Sequence, residues 1–332
     1  MSRVTVIGAT TWGTTLGNLL AGKGVDTCIW ARTEAEAQKL WWEQQSRLAE
    51  LGSGCHLSIT SDLSEALHSA ECVLCAVPAQ RMRQNVQLLA PYVDASMIVV
   101  SAAKGLEAAT GKRMSEVIAE EVALLPSGRI CALSGPNLSQ EIARGLPATS
   151  IVAGQDLEVA KKVSRLLDTH NFSVFVNNDI VGVELCGALK NVIALGAGMI
   201  DGLDLGNNAK AAFITLGWNE VVSLGVALGA KPSTFFGLAG LGDLIATGNS
   251  PLSRNHYVGY ELGKGRSLSD IISSMTQVAE GIDTTVAAHH LVNKLRLKAP
   301  IISLVYSVLF ESLSPVEISS RFKNGLKPEP TV

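Results

Sequence analysis

Lys190, Asp243, Arg254 and Asn255 are the residues of this chain whose types and spacing point to chemistry. A Gly-Ala-Leu-Lys-Asn run ends at Lys190-Asn191, Asp243 closes Gly240-Leu241-Gly242-Asp243, and Ser253-Arg254-Asn255 follows ten residues later. The set offers a lysine to move a proton, a carboxylate to hold that lysine, and an arginine whose planar fork matches a phosphate. Placed downstream of a dinucleotide-type start, it reads as hydride transfer on a phosphorylated substrate.

That start lies at the N-terminus. Arg3-Val4-Thr5-Val6-Ile7 is a short β-rich apolar run, as expected for a strand buried on both faces of a parallel sheet, and Gly8-Ala9-Thr10-Thr11-Trp12-Gly13 follows at once. A helix is expected over Thr14 to Gly22. In the G-x-G-x-x-G fingerprint the first glycine makes the turn, the second admits the pyrophosphate and the third lets helix pack on strand. Gly8 and Gly13 fill the first and third places, and Thr10 stands at the second. A β-branched residue there is expected to crowd the phosphates or disfavour a positive φ, unless its hydroxyl itself bonds a phosphate. The free N–H groups and positive dipole of the following helix suit an anion. A second strand, Asp26 to Ala31, leads to Arg32, where an NAD-selective site usually carries Asp or Glu and an arginine can pair with a 2′-phosphate. Arg32 therefore favours or at least tolerates NADP. A surface arginine opening a helix, close to Glu34 and Glu36, is the other reading.

At 332 residues and 34.9 kDa the chain suits about two domains. A formal charge of −3 and a pI near 6.1 give no basic field and argue against a nucleic-acid partner. Mean hydropathy is high, +0.27. The stretches Val221 to Ala230 and Ala299 to Phe310 fall short of the ~20 residues that span a bilayer, so no membrane span is expected. The first residues run into a strand without a basic leader, and the expected location is the cytoplasm. Of six cysteines, Cys28, Cys72, Cys75, Cys131 and Cys186 sit in apolar patterns and Cys55 in a Gly/Ser loop, all read as reduced thiols. Cys72 and Cys75 resemble a redox pair, but inside a strand residues three apart face opposite sides. The six histidines are scattered, His289-His290 reads as a solvated helix face, and no metal is expected.

Strand and helix patterns alternate through the first half. Strands are expected at 71–77, 96–101, 129–133, 148–153 and 172–176, with helices at 33–51, 79–89, 114–124 and 157–169, which marks a doubly wound, mainly parallel α/β sheet. Beyond Asn177-Asn178-Asp179 long Ala/Leu/Gly/Val segments with helical spacing take over. Two domains are expected: a dinucleotide-binding α/β domain over 1–178 and an all-helical domain over 179–332. In such a sheet ligands bind beyond the carboxyl ends of the strands. Three loops lie there: Val77-Pro78-Ala79, Ala103-Lys104-Gly105-Leu106 and Gly135-Pro136-Asn137-Leu138-Ser139. Lys104 reads as functional from its loop position, whereas Asn137 and Ser139 can equally be helix caps.

Taken together, Gly8-x-x-x-Trp12-Gly13, Ala103-Lys104-Gly105-Leu106, Ser134-Gly135-Pro136, Lys190-Asn191-Val192-Ile193-Ala194, Gly240-Leu241-Gly242-Asp243-Leu244 and Ser253-Arg254-Asn255 resemble the bacterial NAD(P)-dependent sn-glycerol-3-phosphate dehydrogenases over nearly the whole chain. The resemblance implies a Rossmann-like domain followed by an all-α substrate domain. It implies interconversion of glycerol 3-phosphate and dihydroxyacetone phosphate with NAD or NADP, supplying glycerophospholipid synthesis, and it leaves a homodimer open. By the same resemblance Lys190 is the general acid/base, Lys104 binds substrate and polarises its carbonyl, and Asp243 orients the lysine, with Asn191 and Thr247 adding hydrogen bonds. Gly135, Asn137, Ser253, Arg254 and Asn255 hold the substrate, Arg254 and Asn255 at its phosphate. Cofactor contacts map to Gly8, Thr11, Trp12, Gly13, Arg32, Lys104, Ser139, Arg254, Val278 and Glu280. The chain departs from the family pattern at Thr10, at Asn137-Leu138-Ser139, and at Leu216, where an arginine is usual. Two alternatives stay open: a β-hydroxyacid or ketopantoate-type reductase, whose carboxylate substrate Arg254 could hold, and a non-catalytic nucleotide-sensing protein.

Overall fold

The computed structural model describes residues 3–51, 56–250, 252–275, 277–318 and 320. Its eight strands are β1 (Arg3–Ile7), β2 (Asp26–Trp30), β3 (Leu57–Thr60), β4 (Ala70–Cys75), β5 (Ile98–Ser101), β6 (Ile130–Ser134), β7 (Ala148–Gly154) and β8 (Phe172–Asn177), in one sheet ordered β3-β2-β1-β4-β5-β6-β7-β8. The first six run parallel. β7 turns antiparallel to β6, and β8 then runs parallel to β7. The helices woven through this sheet are α1 (Thr11–Gly22), α2 (Glu34–Leu51), α3 (Leu63–Leu67), α4 (Met82–Leu89), α5 (Met114–Glu121), α6 (Ser139–Ala143) and α7 (Leu157–Leu167).

Apolar side chains alternate between two cores, one on each face. Val4, Val6, Cys72 and Leu74 join one, while Ile7, Cys28, Val73 and Cys75 join the other. This two-sided burial explains why the strands read as continuous apolar runs. It also separates Cys72 from Cys75, and the five described cysteines are buried and free. Cys55 lies outside the described residues, as does the C-terminal Lys327-Pro328-Glu329-Pro330 segment.

Beyond β8 the described residues form the helices α8 (Ile180–Gly202), α9 (Gly206–Ala227), α10 (Asp243–Asn249), α11 (Arg254–Gly263), α12 (Leu268–Ser274), α13 (Glu280–Lys294) and α14 (Pro300–Phe310). Asp179 caps α8 by accepting from Gly182 N, and it also takes Lys231 N and the Thr234 hydroxyl. α8 corrects the expectation drawn from apolar stretches: its 23 residues are long and apolar enough to cross a membrane. Glu184, Lys190 and Asn191 interrupt the apolar run and concealed it. Because 94% of its 18-residue window is buried, α8 is the central post of the helical layer. The short edge strand β3 and the five-residue α3 were not anticipated, being half-buried and following a Gly/Ser stretch. His289 is not simply solvated, since its ring stacks on Tyr306 at 3.9 Å between centroids.

Candidate active site at the junction of sheet and helices

The order of β1 between β2 and β4 opens a crevice at the carboxyl edge of the sheet, and a cleft of about 930 Å³ runs from there to the helical layer. One wall is the turn from β1 into α1. Gly8 takes φ +114°, and a Cβ there would stand 2.9 Å from Ala76 O, while a Cβ at Gly13 would stand 2.1 Å from Gly8 O. These two positions meet the demands of the fingerprint. Thr10 meets a different one. It has φ −88° and ψ 162°, so a β-branched residue sits there without strain, and α1 begins at Thr11, three residues earlier than expected. The Thr10 hydroxyl accepts from Gly13 N at 3.0 Å and donates to Ala76 O at 2.8 Å. It is an N-cap that also ties α1 to β4, and neither crowding nor a hydroxyl aimed at a phosphate describes it. By the geometry of a helix start the amides of Thr11 and Trp12 lack intrahelical acceptors, which leaves donors for an anion.

The opposite wall comes from the helical layer. Lys190, midway along α8, is 4% exposed, and Asp243, at the start of α10, is 1% exposed. Lys190 Nζ donates to Asp243 Oδ1 at 2.7 Å and to the Thr247 hydroxyl, while Lys104 Nζ donates to Asp243 Oδ2 at 2.8 Å. One buried carboxylate thus holds two lysines from different layers. Lys104 also donates to Gly135 O at 2.6 Å, a carbonyl turned by Gly135 at φ +141°. Burial brings the Lys190 ammonium down to about 8, against the pull of Asp243 and aided by repulsion from Lys104. Asp243 is presented by a π-turn over Leu238–Gly242, where the backbone crosses Phe235 O so closely that a Cβ at Gly240 would stand 2.2 Å from it.

Other expected residues take up different partners. Asn191 does not bond Lys190: its amide donates to Lys104 O at 3.0 Å and its oxygen accepts from Asn255 Nδ2 at 2.8 Å. Asn255 in turn accepts from Gly281 N. It therefore spends much of its polarity bracing α8, α11 and α13 together. Ser253 caps α11 by accepting from His256 N, and with Arg254 it brings the helix start to the cleft. Arg254 is exposed at the rim and donates to Val278 O at 2.8 Å. Glu280 Oε1 accepts from Ala79 N at 3.0 Å, and its Oε2 is buried without a partner. Burial raises Glu280 to about 7. Asn137 donates to the Ser150 hydroxyl at 3.0 Å, and its side-chain oxygen is likewise buried and unpartnered. It does not cap α6, which starts after Leu138 with no side-chain cap. Trp12 packs edge-on against Phe172, and Ser139 and Val278 line the cleft. Arg32 stands in an adjoining pocket beyond β2. Sequence reasoning missed Gln277, whose amide donates to Thr11 Oγ1 at 3.0 Å across the cleft. No local pattern marks a residue that bridges 266 positions.

The cleft fits a dinucleotide: a glycine-lined turn that a Cβ would fill, free amides at the start of α1, and orphaned acceptors at Glu280 and Asn137. Among the described residues no group of three or more His, Cys, Asp or Glu is placed to hold a metal ion.

Comparison with known proteins follows this geometry. Residues 3–160 match the family model described as NAD-dependent glycerol-3-phosphate dehydrogenase N-terminus, and residues 179–320 match the corresponding C-terminus. A glycerol-3-phosphate dehydrogenase, NAD(P)+, of Dehalococcoides mccartyi is 52% identical over 322 residues, covering 96% of this chain and 89% of the relative. The crystal structure of glycerol-3-phosphate dehydrogenase from Coxiella burnetii superposes with a TM-score of 0.89 at 31% identity, covering 97% of this chain and 99% of that one. A ketopantoate reductase from Ralstonia eutropha reaches a TM-score of 0.60 at 14% identity over 96% of this chain and 99% of its own, a likeness of fold alone.

Proposed function

Because this chain belongs to the NAD-dependent glycerol-3-phosphate dehydrogenase family, we propose that it interconverts sn-glycerol 3-phosphate and dihydroxyacetone phosphate with NAD or NADP. The observation that carries the reading is the buried Lys190–Asp243–Lys104 chain at the floor of the cleft. The bound nicotinamide supplies a hydride to C2 of the ketone, or accepts it in the reverse direction. The work of this chain is to hold the substrate and move the proton. Lys190 in its ammonium form gives a proton to the C2 oxygen during reduction, and as the free amine takes it back during oxidation. Asp243 keeps the Lys190 nitrogen at a fixed point, and Lys104, on the other carboxylate oxygen, adds positive charge where the carbonyl oxygen gains electron density. The N-terminus of α11 with Arg254 holds the substrate phosphate through helix amides and a charge-assisted fork. The proposed setting is the cytoplasm, in keeping with the buried free thiols, and the proposed role is supply of glycerol 3-phosphate to glycerophospholipid synthesis.

The test is oxidation of NADH and NADPH followed by absorbance, with dihydroxyacetone phosphate set against α- and β-keto acids. Turnover confined to the phosphorylated ketone is expected, and preference for a keto acid would turn the assignment to the ketopantoate-type reading. Lys190→Ala should keep cofactor binding and lose about 10²-fold or more in kcat. A variant with near-normal kcat would remove Lys190 from its proposed role.

A further inference from the structure

We propose that Gln80 is a positioning residue of the reaction: its carboxamide clasps the loop after β5 and so fixes where Lys104 meets Asp243. The inference rests on the proton-transfer reading above and adds to it a residue that lies outside the cleft. Gln80 sits in the single 3-10 turn Ala79–Arg81 before α4 and is not among the residues lining the cleft. Its Nε2 donates to Leu106 O at 2.8 Å, and its Oε1 accepts from Ala108 N at 3.0 Å. Only this orientation of the amide satisfies both groups, so the side chain pairs with the loop as the edge of a strand would.

Other contacts meet this loop from different sides. Gly105 packs so closely that a Cβ there would stand 2.6 Å from Ala79 Cβ and 3.0 Å from Glu280 Oε2. From α8, Asn191 donates to Lys104 O at 3.0 Å. Further out, a bridge from Leu106 to Arg113 closes the loop into a hairpin, and Arg83 holds both oxygens of Glu107 at 2.7 and 2.8 Å. Lys104 lies between these anchors. Its long, flexible stem reaches two acceptors at once, Asp243 Oδ2 at 2.8 Å and Gly135 O at 2.6 Å, which requires a fixed Cα. Gly105, the next residue, is the freest to turn, so the backbone just beyond it needs an anchor of its own. Gln80 supplies that anchor at Leu106 and Ala108.

Lys104 acts in turn on Lys190. Asp243 on α10 favours the Lys190 ammonium, while Lys104 on the sheet side and Arg254 on α11 repel it. Displacing Lys104 therefore raises the pH at which Lys190 loses its proton, and it weakens the positive charge offered to the substrate carbonyl. A neutral side chain one element away from the cleft thus sets the geometry of both lysines.

The test is a pH series of dihydroxyacetone phosphate reduction by the full chain and by Gln80→Met, which keeps the bulk of the side chain and loses both hydrogen bonds. We expect kcat/KM to fall about tenfold, which corresponds to one hydrogen bond. The limb near pH 8 should move to higher pH, the direction expected for Lys104→Met. Adding Gln80→Met to Lys104→Met should displace the limb no further, because the charge being positioned is already gone. Gln80→Glu is the second variant: it keeps the acceptor for Ala108 N, sets an anionic oxygen against Leu106 O, and should be at least as impaired. In both Gln80 variants acetic anhydride should modify Lys104 severalfold faster, read by mass spectrometry against the exposed Lys161. Wild-type limbs and kcat/KM in both variants would overturn the proposal. So would a limb that Gln80→Met still moves when Lys104 is absent, since Gln80 would then act by another route. If the wild-type chain does not reduce dihydroxyacetone phosphate, the proposed reaction fails, and the acetylation rates still decide the clasp: an unchanged rate at Lys104 refutes it.

Discussion

Lys190 carries the most direct pH consequence. Burial lowers its ammonium to about 8, so the protonated donor required for ketone reduction is lost above that pH, while the free amine required for alcohol oxidation appears there. Rates of reduction should therefore fall, and rates of oxidation rise, through the same limb near pH 8. Lys104 repels that charge from the far side of Asp243, so Lys104→Met should move the limb to higher pH. Limbs that stay put in the variant, or profiles parallel in the two directions, would separate the titration from Lys190. Thr10 shows how the sequence misled at this scale. The fingerprint identified the position, but whether a residue there faces a ligand depends on φ and on the hydroxyl's partners, and neither is written locally. Thr10→Ala removes an N-cap and a tie to Ala76 O, so it should cost about 1 kcal/mol of stability in a thermal or urea melt and leave NADPH affinity nearly unchanged. A large loss of affinity with intact stability would return Thr10 to the phosphate.

The elements of the sheet layer were legible because burial on both faces leaves unbroken β-branched runs separated by polar helices. β3 and α3 were not, since a four-residue strand half-buried at the sheet edge carries no such run. The π-turn before Asp243 was likewise hidden: Gly240-Leu241-Gly242 marks flexibility, and only packing against Phe235 fixes it in that form. Another cross-element device escaped reading because its partners are eighty residues apart. Glu220 on α9 accepts from Ile301 N and Ile302 N at 2.8 and 2.9 Å, capping the otherwise bare start of α14. Burial raises its carboxyl to about 7 from an ordinary 4.5. A folded pKa above the unfolded one means that the native state holds the extra proton between those values. The contribution to stability is therefore full below about 4.5 and is lost as pH rises through about 7. Glu220→Gln should flatten this part of the melting profile relative to wild type. Glu220→Ala should cost about 1–3 kcal/mol below about pH 4.5, because it strands two backbone donors of buried residues, and the cost should shrink as pH rises through about 7. A Gln variant with an unaltered slope would contradict the linkage.

At the scale of the molecule, the cleft exists only where the two layers meet, and a few polar contacts hold them in register. Lys104 reaches Asp243, Glu280 reaches Ala79 N, and Glu184 on α8 accepts from Ser115 N at 2.8 Å, from the Ser115 hydroxyl at 2.5 Å and from Arg113 at 2.7 Å. The sequence showed where strand patterns yield to helical ones, but contacts between residues 69 to 201 positions apart leave no periodic trace. Glu184 is buried, and burial raises its carboxyl even against the pull of Arg113. Burial of such a pair contributes little net stability against an apolar substitute, yet removing Glu184 strands the buried Ser115 amide and hydroxyl and leaves Arg113 with only the exposed Glu116, at a cost of about 1–3 kcal/mol. Glu184→Ala is expected to lower the melting temperature and to weaken docking of α8 on α5. Calorimetry should then resolve melting of the helical layer from that of the sheet layer. Because Lys190 lies on the same helix and Lys104, which shares Asp243 with it, on the sheet side, kcat should fall although no residue touching substrate has changed. Replacing both partners by apolar residues, Glu184→Leu with Arg113→Met, should recover part of the stability, since no charge is then stranded. If the single variant melts like wild type, or the double variant fares no better than the single one, Glu184 does not hold the layers together.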